Sequence, residues 1–153
     1  MDVHLMIVEP EKYAERFAKV GADMISFHVN ATEDPTAVLA QIHSQGVQAG
    51  LVINPDLPVE SLFPYLKDCD FVMLMSVIAG FGGQKFIEET YDRVRALKAE
   101  IQRQGLNIPI EVDGGVSAAN SKALAEAGAE ILVAGSAVFK AEDPASVIQQ
   151  MKA

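Results

Sequence analysis

Six short apolar runs, separated by amphipathic segments, constrain the fold of this chain more than any other feature of its sequence. The runs are apolar at nearly every position, as strands buried on both faces of a parallel sheet are. Regular alternation of such strands with helices predicts an α/β fold. The predicted strands cover residues 3–8, 24–29, 49–53, 71–77, 109–112 and 131–134.

The segments between the apolar runs carry the signals of helix ends. Asp34 and Asp143 each stand before a proline, which is the arrangement of an N-cap followed by proline in the first helical turn. Glycines follow several of these segments, as they do at helix C-termini. Pro64 is expected to distort the last turn of its helix. The predicted helices cover residues 11–20, 36–44, 58–66, 86–104, 117–127 and 144–151.

An open doubly wound sheet and a (β/α) barrel both satisfy this alternation. We favour the barrel, because polar residues or glycines follow most of the predicted strands and barrel enzymes carry their sites at that end of the strands. A closed barrel of this type has eight strands, and the chain supplies six. Residues 1–153 are therefore expected to form a single partial barrel domain.

Composition limits the partners and the compartment that the sequence fits. Half of the residues are apolar and the net charge is −9, so we expect a globular domain that binds neither nucleic acid nor an anionic membrane surface. The single cysteine, Cys69, is expected to be a buried, unreactive thiol in a reducing compartment. No apolar run is long enough to span a membrane, and residues 1–4 do not resemble a signal peptide. These features predict a cytoplasmic protein.

The sequence IEVDGG at residues 110–115 places an acidic residue and two glycines at the end of an apolar strand. Asp113 would stand at the rim of the sheet, and the glycines would let backbone N–H groups approach a phosphate. Taken alone, Asp113 fits a cap of the following helix as well as a functional carboxylate. Glycine-containing turns also follow two other strands. Together the three turns, which contain Gly80, Gly82, Gly83, Gly114, Gly115, Gly135 and Ser136, predict a phosphate site whose donors are the N–H groups of Gly82, Gly83, Gly115, Gly135 and Ser136.

These motifs resemble those of the ribulose-phosphate 3-epimerases. The matching stretches are DVHLMI at 2–7, His28, LVINP at 51–55, LMSV at 74–77, GFGGQ at 80–84, EVDGG at 111–115 and GSAVF at 135–139. The family has a (β/α)8 TIM-barrel fold and interconverts D-ribulose 5-phosphate and D-xylulose 5-phosphate with one divalent metal ion per active site. The resemblance implies this fold type, activity and phosphorylated ketopentose substrate for the chain. It also implies that six of the eight β/α units are present, and that the first two, which carry a His-x-Asp pair of metal ligands, have no counterpart here.

By the same resemblance, Asp113 is a catalytic acid/base and a metal ligand, and His4 is a second ligand that also contacts substrate. The metal is expected to be zinc, iron(II), cobalt or manganese. Met6 and Met75 would bind substrate as an apolar ceiling over the reacting carbons. Without the family context, His4 fits a core histidine and the methionines fit ordinary packing. His28 is expected in the core or beside the ligands rather than among them.

Two other functions stay open at this point. An allulose-6-phosphate 3-epimerase would share the fold and the metal. A non-catalytic phosphosugar-binding fragment would keep the phosphate turns while lacking part of the metal site. A six-stranded barrel would also leave two strand edges free, at residues 3–8 and 131–134, and free edges pair with other chains. We therefore expect a homo-oligomer.

Overall fold

Six parallel strands form one continuous sheet in the structure, a computed structural model that describes residues 1–80 and 84–152. Each strand pairs with the next one along the chain, so the order in the sheet is the order in the sequence. All six predicted strands are confirmed in position. They are β1 (Asp2–Leu5), β2 (Met24–His28), β3 (Gln48–Ile53), β4 (Phe71–Met75), β5 (Ile110–Asp113) and β6 (Ile131–Val133).

The sequential strand order is that of a (β/α) barrel, because a doubly wound sheet reverses its strand order at a switch point. The sheet is also curled as a barrel wall is. His4 on β1 lies 3.9 Å from Asp113 on β5, although β2, β3 and β4 stand between them in the sheet. The prediction of an α/β sheet of the barrel type is therefore confirmed, and the number of units in the complete fold stays a prediction.

Alternate residues of β4 point to opposite faces of the sheet and enter two separate apolar clusters. Val72 and Leu74 join the main core, which lies between the sheet and the helices. Met73 and Met75 belong to a smaller cluster on the inner, concave face. Every residue of β4 is buried, which explains why its sequence is continuously apolar rather than alternating.

Helices follow the strands and cover the outer face of the sheet. Two predicted caps are confirmed, since Asp34 accepts a hydrogen bond from the Ala37 N–H at 3.0 Å and Asp143 accepts one from the Ser146 N–H at 3.1 Å. No helix within residues 1–80 and 84–152 is long and apolar enough to cross a membrane. The helices are α1 (Ala14–Lys19), α2 (Pro35–Ser44), α3 (Thr90–Arg103), α4 (Ser121–Ala127), α5 (Ser136–Phe139) and α6 (Pro144–Met151), with 3-10 helices at Pro10–Lys12 and Val59–Asp68.

Two predicted α-helices contain 3-10 structure. The segment predicted over 58–66 is a 3-10 helix throughout, because Pro64 has no N–H to donate and disfavours the α-helical bond pattern. The segment predicted over 11–20 is divided at Tyr13 into a short 3-10 helix and α1. β1 ends at Leu5, three residues before its predicted end, because the chain bends at Ile7 and Val8.

Two other helices begin four residues later than predicted. α3 begins at Thr90 rather than at 86, because the Ile87 N–H donates to the Ser76 carbonyl at 2.9 Å and holds the preceding residues against the end of β4. α4 begins at Ser121 rather than at 117, because residues 117–120 form a turn closed by a hydrogen bond from the Ser117 N–H to the Asn120 side chain. The short helix α5 begins at Ser136, where a helix start is expected, although no helix range is predicted there.

Candidate active site at the carboxyl ends of the strands

A cavity of about 270 Å³ opens where β4, β5 and β6 end. The last residues of these strands, Met75, Asp113 and Val133, stand side by side in the parallel register. Parallel strands bring their carboxyl ends to one edge, which is where barrel enzymes carry their sites. The described lining residues are Met6, Met75, Val77, Ile78, Ala79, Gly80, Gln84, Asp113, Gly114, Gly115, Val116, Val133, Gly135 and Ser136.

The cavity brings together most of the residues that the sequence predicts for the site. Of these residues, His4 lies next to the cavity through its contact with Asp113 rather than in its lining. Gly82 and Gly83 lie outside the described residues, so their predicted contact with phosphate stays a prediction. The predicted residues in the lining are Met6, Met75, Gly80, Asp113, Gly114, Gly115, Gly135 and Ser136.

Ser76 fixes the backbone that carries Asp113. Its N–H donates to the Asp113 carbonyl at 2.9 Å, and its buried hydroxyl lies 3.0 Å from the same carbonyl and 2.5 Å from that of Gly114. Sequence reasoning assigned Ser76 no role of its own. A hydroxyl among apolar strand residues was the available signal, because a buried hydroxyl needs a hydrogen-bond partner.

The turn after Asp113 requires both of its glycines. Gly114 and Gly115 have φ values of 123° and 63°, in the left-handed region. A Cβ on Gly114 would lie 2.5 Å from the Val77 side chain, and a Cβ on Gly115 would lie 2.8 Å from the Phe86 nitrogen. The glycines therefore allow the close approach of three chain segments at the cavity wall.

His4 faces Asp113 on one side and His28 on the other. The His4 Nδ1 lies 3.9 Å from the Asp113 Oδ2, and its Nε2 lies 2.9 Å from the Nε2 of His28. His28 is buried, and burial together with the neighbouring His4 lowers the pKa of His28 to about 4. His28 is therefore neutral at physiological pH. Its predicted place in the core is confirmed, and its place beside metal ligands stays a prediction.

Glu111 is an ionisable residue of the inner face that sequence reasoning left unassigned. It stands two residues before Asp113, so both side chains point to the same face of β5. It is fully buried, and neither carboxyl oxygen has a well-aligned hydrogen-bond partner among the described residues. Burial, and then the nearby carboxyl of Asp2, raise the pKa of Glu111 to about 8. The available signal in the sequence was the spacing of two residues between Glu111 and Asp113, which places both side chains on one face of a strand.

The donors at the site fit part of a metal centre. The His4 Nδ1 is buried, has no hydrogen-bond partner among residues 1–80 and 84–152, and is directed at the Asp113 carboxylate. Nitrogen and carboxylate oxygen are ligands that zinc, iron(II), cobalt and manganese accept. Within the described part of the chain, no group of three or more His, Cys, Asp and Glu residues is placed to hold a metal. Catalytic metal sites usually have at least three protein ligands, so His4 and Asp113 fit as two ligands of a larger set.

The two methionines differ in their surroundings, although both line the cavity. Met75 is buried beside Asp113, whereas Met6 is 46% exposed. Their predicted contact with the reacting carbons stays a prediction. Cys69 is buried as predicted, and burial raises the pKa of its thiol to about 12. The third histidine, His43 on α2, is exposed, and its Nε2 lies 2.8 Å from the Asp70 Oδ2.

Comparison with known proteins identifies close relatives. The model of the ribulose-phosphate 3 epimerase family matches residues 1–139. The chain is 51% identical to the ribulose-phosphate 3-epimerase of Synechocystis sp. over 97% of its own length and 65% of the relative's. It is 42% identical to the Escherichia coli ribulose-phosphate 3-epimerase over 99% of its own length and 68% of that relative's. The chain thus spans about two thirds of the length of these curated relatives.

Solved structures show the same fold at low sequence identity. The structure of KGPDC from Streptococcus mutans superimposes with a TM-score of 0.73 at 17% identity, over 98% of this chain and 69% of that one. A 3-hexulose-6-phosphate synthase structure gives a TM-score of 0.70 at 20% identity, over 95% of this chain and 68% of that one. At such identities the likeness concerns the fold alone.

Proposed function

The chain belongs to the ribulose-phosphate 3-epimerase family, and we propose that its rim cavity takes part in the interconversion of D-ribulose 5-phosphate and D-xylulose 5-phosphate. The observation that carries the proposal is the position of Asp113, a carboxylate at the wall of a glycine-lined cavity with the His4 Nδ1 beside it. A pentose phosphate is favoured over a hexose phosphate because the curated relatives described above carry the name of the pentose enzyme.

Epimerisation beside a ketone needs a base on one face of the carbon, an acid on the other face, and stabilisation of the enediolate between them. Asp113 lines the cavity with its side chain 26% exposed, so a bound substrate can reach it while bulk water has limited access. In the proposed reaction, the Asp113 carboxylate takes the proton at C3 from one face of the substrate, and its acid form returns a proton to that face in the reverse direction. Ser76 keeps the carboxylate in place through the Asp113 backbone.

The phosphate would bind at the glycine turns. The net charge of −9 offers no general attraction for an anion, so backbone N–H groups must supply it locally. Gly115, Gly135 and Ser136 lie together in the cavity wall, and Ser136 begins α5. The Gln84 side chain donates to the Ile78 carbonyl at 2.6 Å, and both residues line the same cavity.

A divalent metal ion, when bound, would polarise the substrate carbonyl and stabilise the enediolate oxygens. In the proposal, His4 and Asp113 are two of its ligands, and the metal is zinc, iron(II), cobalt or manganese. A neutral His4 offers the lone pair that a metal ligand needs. Met6 and Met75, which line the cavity, would cover the reacting carbons and favour a planar, poorly hydrated intermediate.

A second candidate function is binding of a phosphosugar without turnover. Asp113 is the one carboxylate among the described residues that line the cavity. A single carboxylate exchanges a proton on one face, whereas epimerisation needs an acid on the opposite face as well. This observation favours a chain that binds the substrate and activates one of its faces, unless a second carboxylate reaches the cavity from elsewhere.

We also propose that the chain forms a homo-oligomer in the cytoplasm. Among the described strands, β1 pairs with β2 alone and β6 pairs with β5 alone, so each has a free edge. Exposed apolar side chains lie near both edges, with Val8 74% exposed after β1 and Phe139 86% exposed after β6. Free strand edges and apolar patches favour association. Light scattering during gel filtration would give the mass of the assembly, and a monomer at all concentrations would contradict this part of the proposal.

The experiment is a coupled assay of the purified 153-residue chain on D-ribulose 5-phosphate, with zinc or iron(II) added and with a metal-free sample. Asp113→Asn removes the proposed acid/base, and Asp92→Asn makes the same change at a carboxylate that is 88% exposed on α3. Conversion that needs metal, is lost in Asp113→Asn and survives in Asp92→Asn would support the proposal. Equal rates in the two variants would contradict it. Saturable binding of the substrate by a folded chain that does not convert it would favour the second candidate.

A further inference from the structure

A stacked pair of histidines stands next to the proposed acid. The rings of His4, on β1, and His28, at the end of β2, have centroids 4.9 Å apart and planes inclined by 28°. Their Nε2 atoms are 2.9 Å apart, which is a hydrogen-bond distance. The other ring nitrogen of His4, Nδ1, lies 3.9 Å from the Asp113 Oδ2. His28 thus contacts the far side of the ring whose near side faces Asp113.

We propose that His28 is a positioning residue, which fixes the orientation and the tautomer of the His4 ring. The inference rests on the proposed function, in which the His4 Nδ1 is a metal ligand. Rotation of the His4 ring would break the bond between the two Nε2 atoms and the stacking contact. The bond therefore keeps Nδ1 directed at Asp113 before any ligand arrives, as the outer hydrogen bonds of ligand histidines do in metal sites.

The polar atoms of the pair indicate a role beyond packing. Both rings are largely buried, with His28 7% exposed and the His4 side chain 11% exposed. Nearly all buried polar atoms in proteins have a hydrogen-bond partner. Here the Nδ1 atoms of His4 and His28 both lack one among the described residues. Packing alone would leave the buried His4 Nδ1 unsatisfied, whereas a role as a metal ligand would satisfy it.

The contact between the rings couples their tautomers. A neutral imidazole has one N–H and one lone pair, so where two Nε2 atoms meet, one ring donates and the other accepts. Without a metal, the Asp113 carboxylate favours a proton on the His4 Nδ1, and His28 then donates from its Nε2. A metal ligand at Nδ1 needs the lone pair there, so the His4 proton moves to Nε2 and is donated to His28. His28 then holds its own proton on Nδ1, and the pair keeps two protons throughout.

Nitrogen-15 NMR of the imidazole rings tests this directly, because the two tautomers give different shifts for the two ring nitrogens. The chain has three histidines, so single substitutions assign every signal. His43 is the internal control, since its ring is 41% exposed and bound to Asp70, and its signal reports that each variant is folded. The variants are His28→Ala, which removes the partner, and His28→Gln, which places an amide near the position of Nε2. Zinc ion is the probe for the metal.

In the wild-type chain we expect His4 in one tautomer, protonated on Nδ1, and zinc is expected to move its proton to Nε2 and that of His28 to Nδ1. In His28→Ala, the His4 signals should average between tautomers, and the zinc affinity should fall by about tenfold or more. His28→Gln should restore a single His4 tautomer. A single, unchanged His4 tautomer and unchanged zinc affinity in folded His28→Ala would overturn the inference. Failure of the wild type to bind zinc would contradict the proposed metal site. The role of His28 would then be decided by the metal-free spectra, which compare the His4 tautomer in the wild type with that in His28→Ala.

Discussion

Replacing Glu111 by glutamine tests whether the buried carboxyl beneath the candidate site is protonated in the folded chain. Glu111 is fully buried on the inner face of β5, two residues before Asp113. Burial, and then the carboxyl of Asp2, raise the pKa of Glu111 from its ordinary value of 4.5 to about 8. Near neutral pH the folded chain therefore keeps a proton on Glu111 that the unfolded chain releases.

The two pKa values fix the sign and the size of the effect. Below pH 4.5 both states hold the proton, and between 4.5 and about 8 only the folded state does, so stability is lost as pH rises through this window. At about 1.4 kcal/mol per pKa unit, the loss is about 3 kcal/mol at neutral pH and at most about 5 kcal/mol in more alkaline solution. Glutamine has nearly the same shape and no proton to release, so Glu111→Gln should lack this part of the pH dependence.

Urea unfolding followed by circular dichroism, at about pH 5 and about pH 9, gives the free energy of unfolding for each variant. The control is Glu126→Gln, which makes the same chemical change on the exposed surface of α4. We expect Glu126→Gln to lose stability between the two pH values as the wild type does, and Glu111→Gln to lose several kcal/mol less. Parallel losses in all three proteins would mean that Glu111 is already ionised in the folded chain, and would contradict the prediction.

Three further predictions concern the wall of the cavity and the core. Gly115→Ala should weaken substrate binding, measured by calorimetry, and lower the free energy of unfolding by about 1–3 kcal/mol, because its Cβ would lie 2.8 Å from the Phe86 backbone. The matched control is Gly105→Ala, since Gly105 has a similar φ of 70° and no described heavy atom within 4 Å of an added Cβ. Ser76→Ala should lower the free energy of unfolding by about 1–2 kcal/mol, measured in urea, since its hydroxyl joins the ends of β4 and β5. Cys69 should react with a thiol reagent only after unfolding, because burial raises its pKa to about 12; rapid labelling of the folded chain would contradict this.

The strands were predictable because burial on both faces leaves a continuous apolar run in the sequence. β4 shows this most clearly, since all five of its residues are buried. The same rule predicted too long a β1. Residues 6–8 are apolar but lie outside the strand, and Val8 is 74% exposed. Helix starts were less predictable. Residues 86–89 are compatible with a helix, and a tertiary hydrogen bond from the Ile87 N–H to the Ser76 carbonyl overrides that tendency.

The candidate site shows the same division between local and long-range signals. The glycines after Asp113 were predictable, since a turn that brings backbone close to a neighbour leaves glycine in the sequence. The contact of His4 with His28 was not, because it depends on the register of two strands and on the side-chain orientations across them. The approach of Asp2 to Glu111 depends on the curl of the sheet, which joins residues more than a hundred positions apart.

Exchange of the substrate's C3 proton with solvent tests whether Asp113 removes that proton. The purified chain, with a divalent metal added, is incubated with D-ribulose 5-phosphate and, separately, with D-xylulose 5-phosphate in heavy water, and loss of the C3 proton signal is followed by NMR. With the wild-type chain we expect exchange in the epimer whose C3 proton faces Asp113, and with Asp113→Asn we expect none. Exchange at the wild-type rate in Asp113→Asn, or no exchange by a folded wild-type chain that binds both substrate and metal, would contradict this expectation.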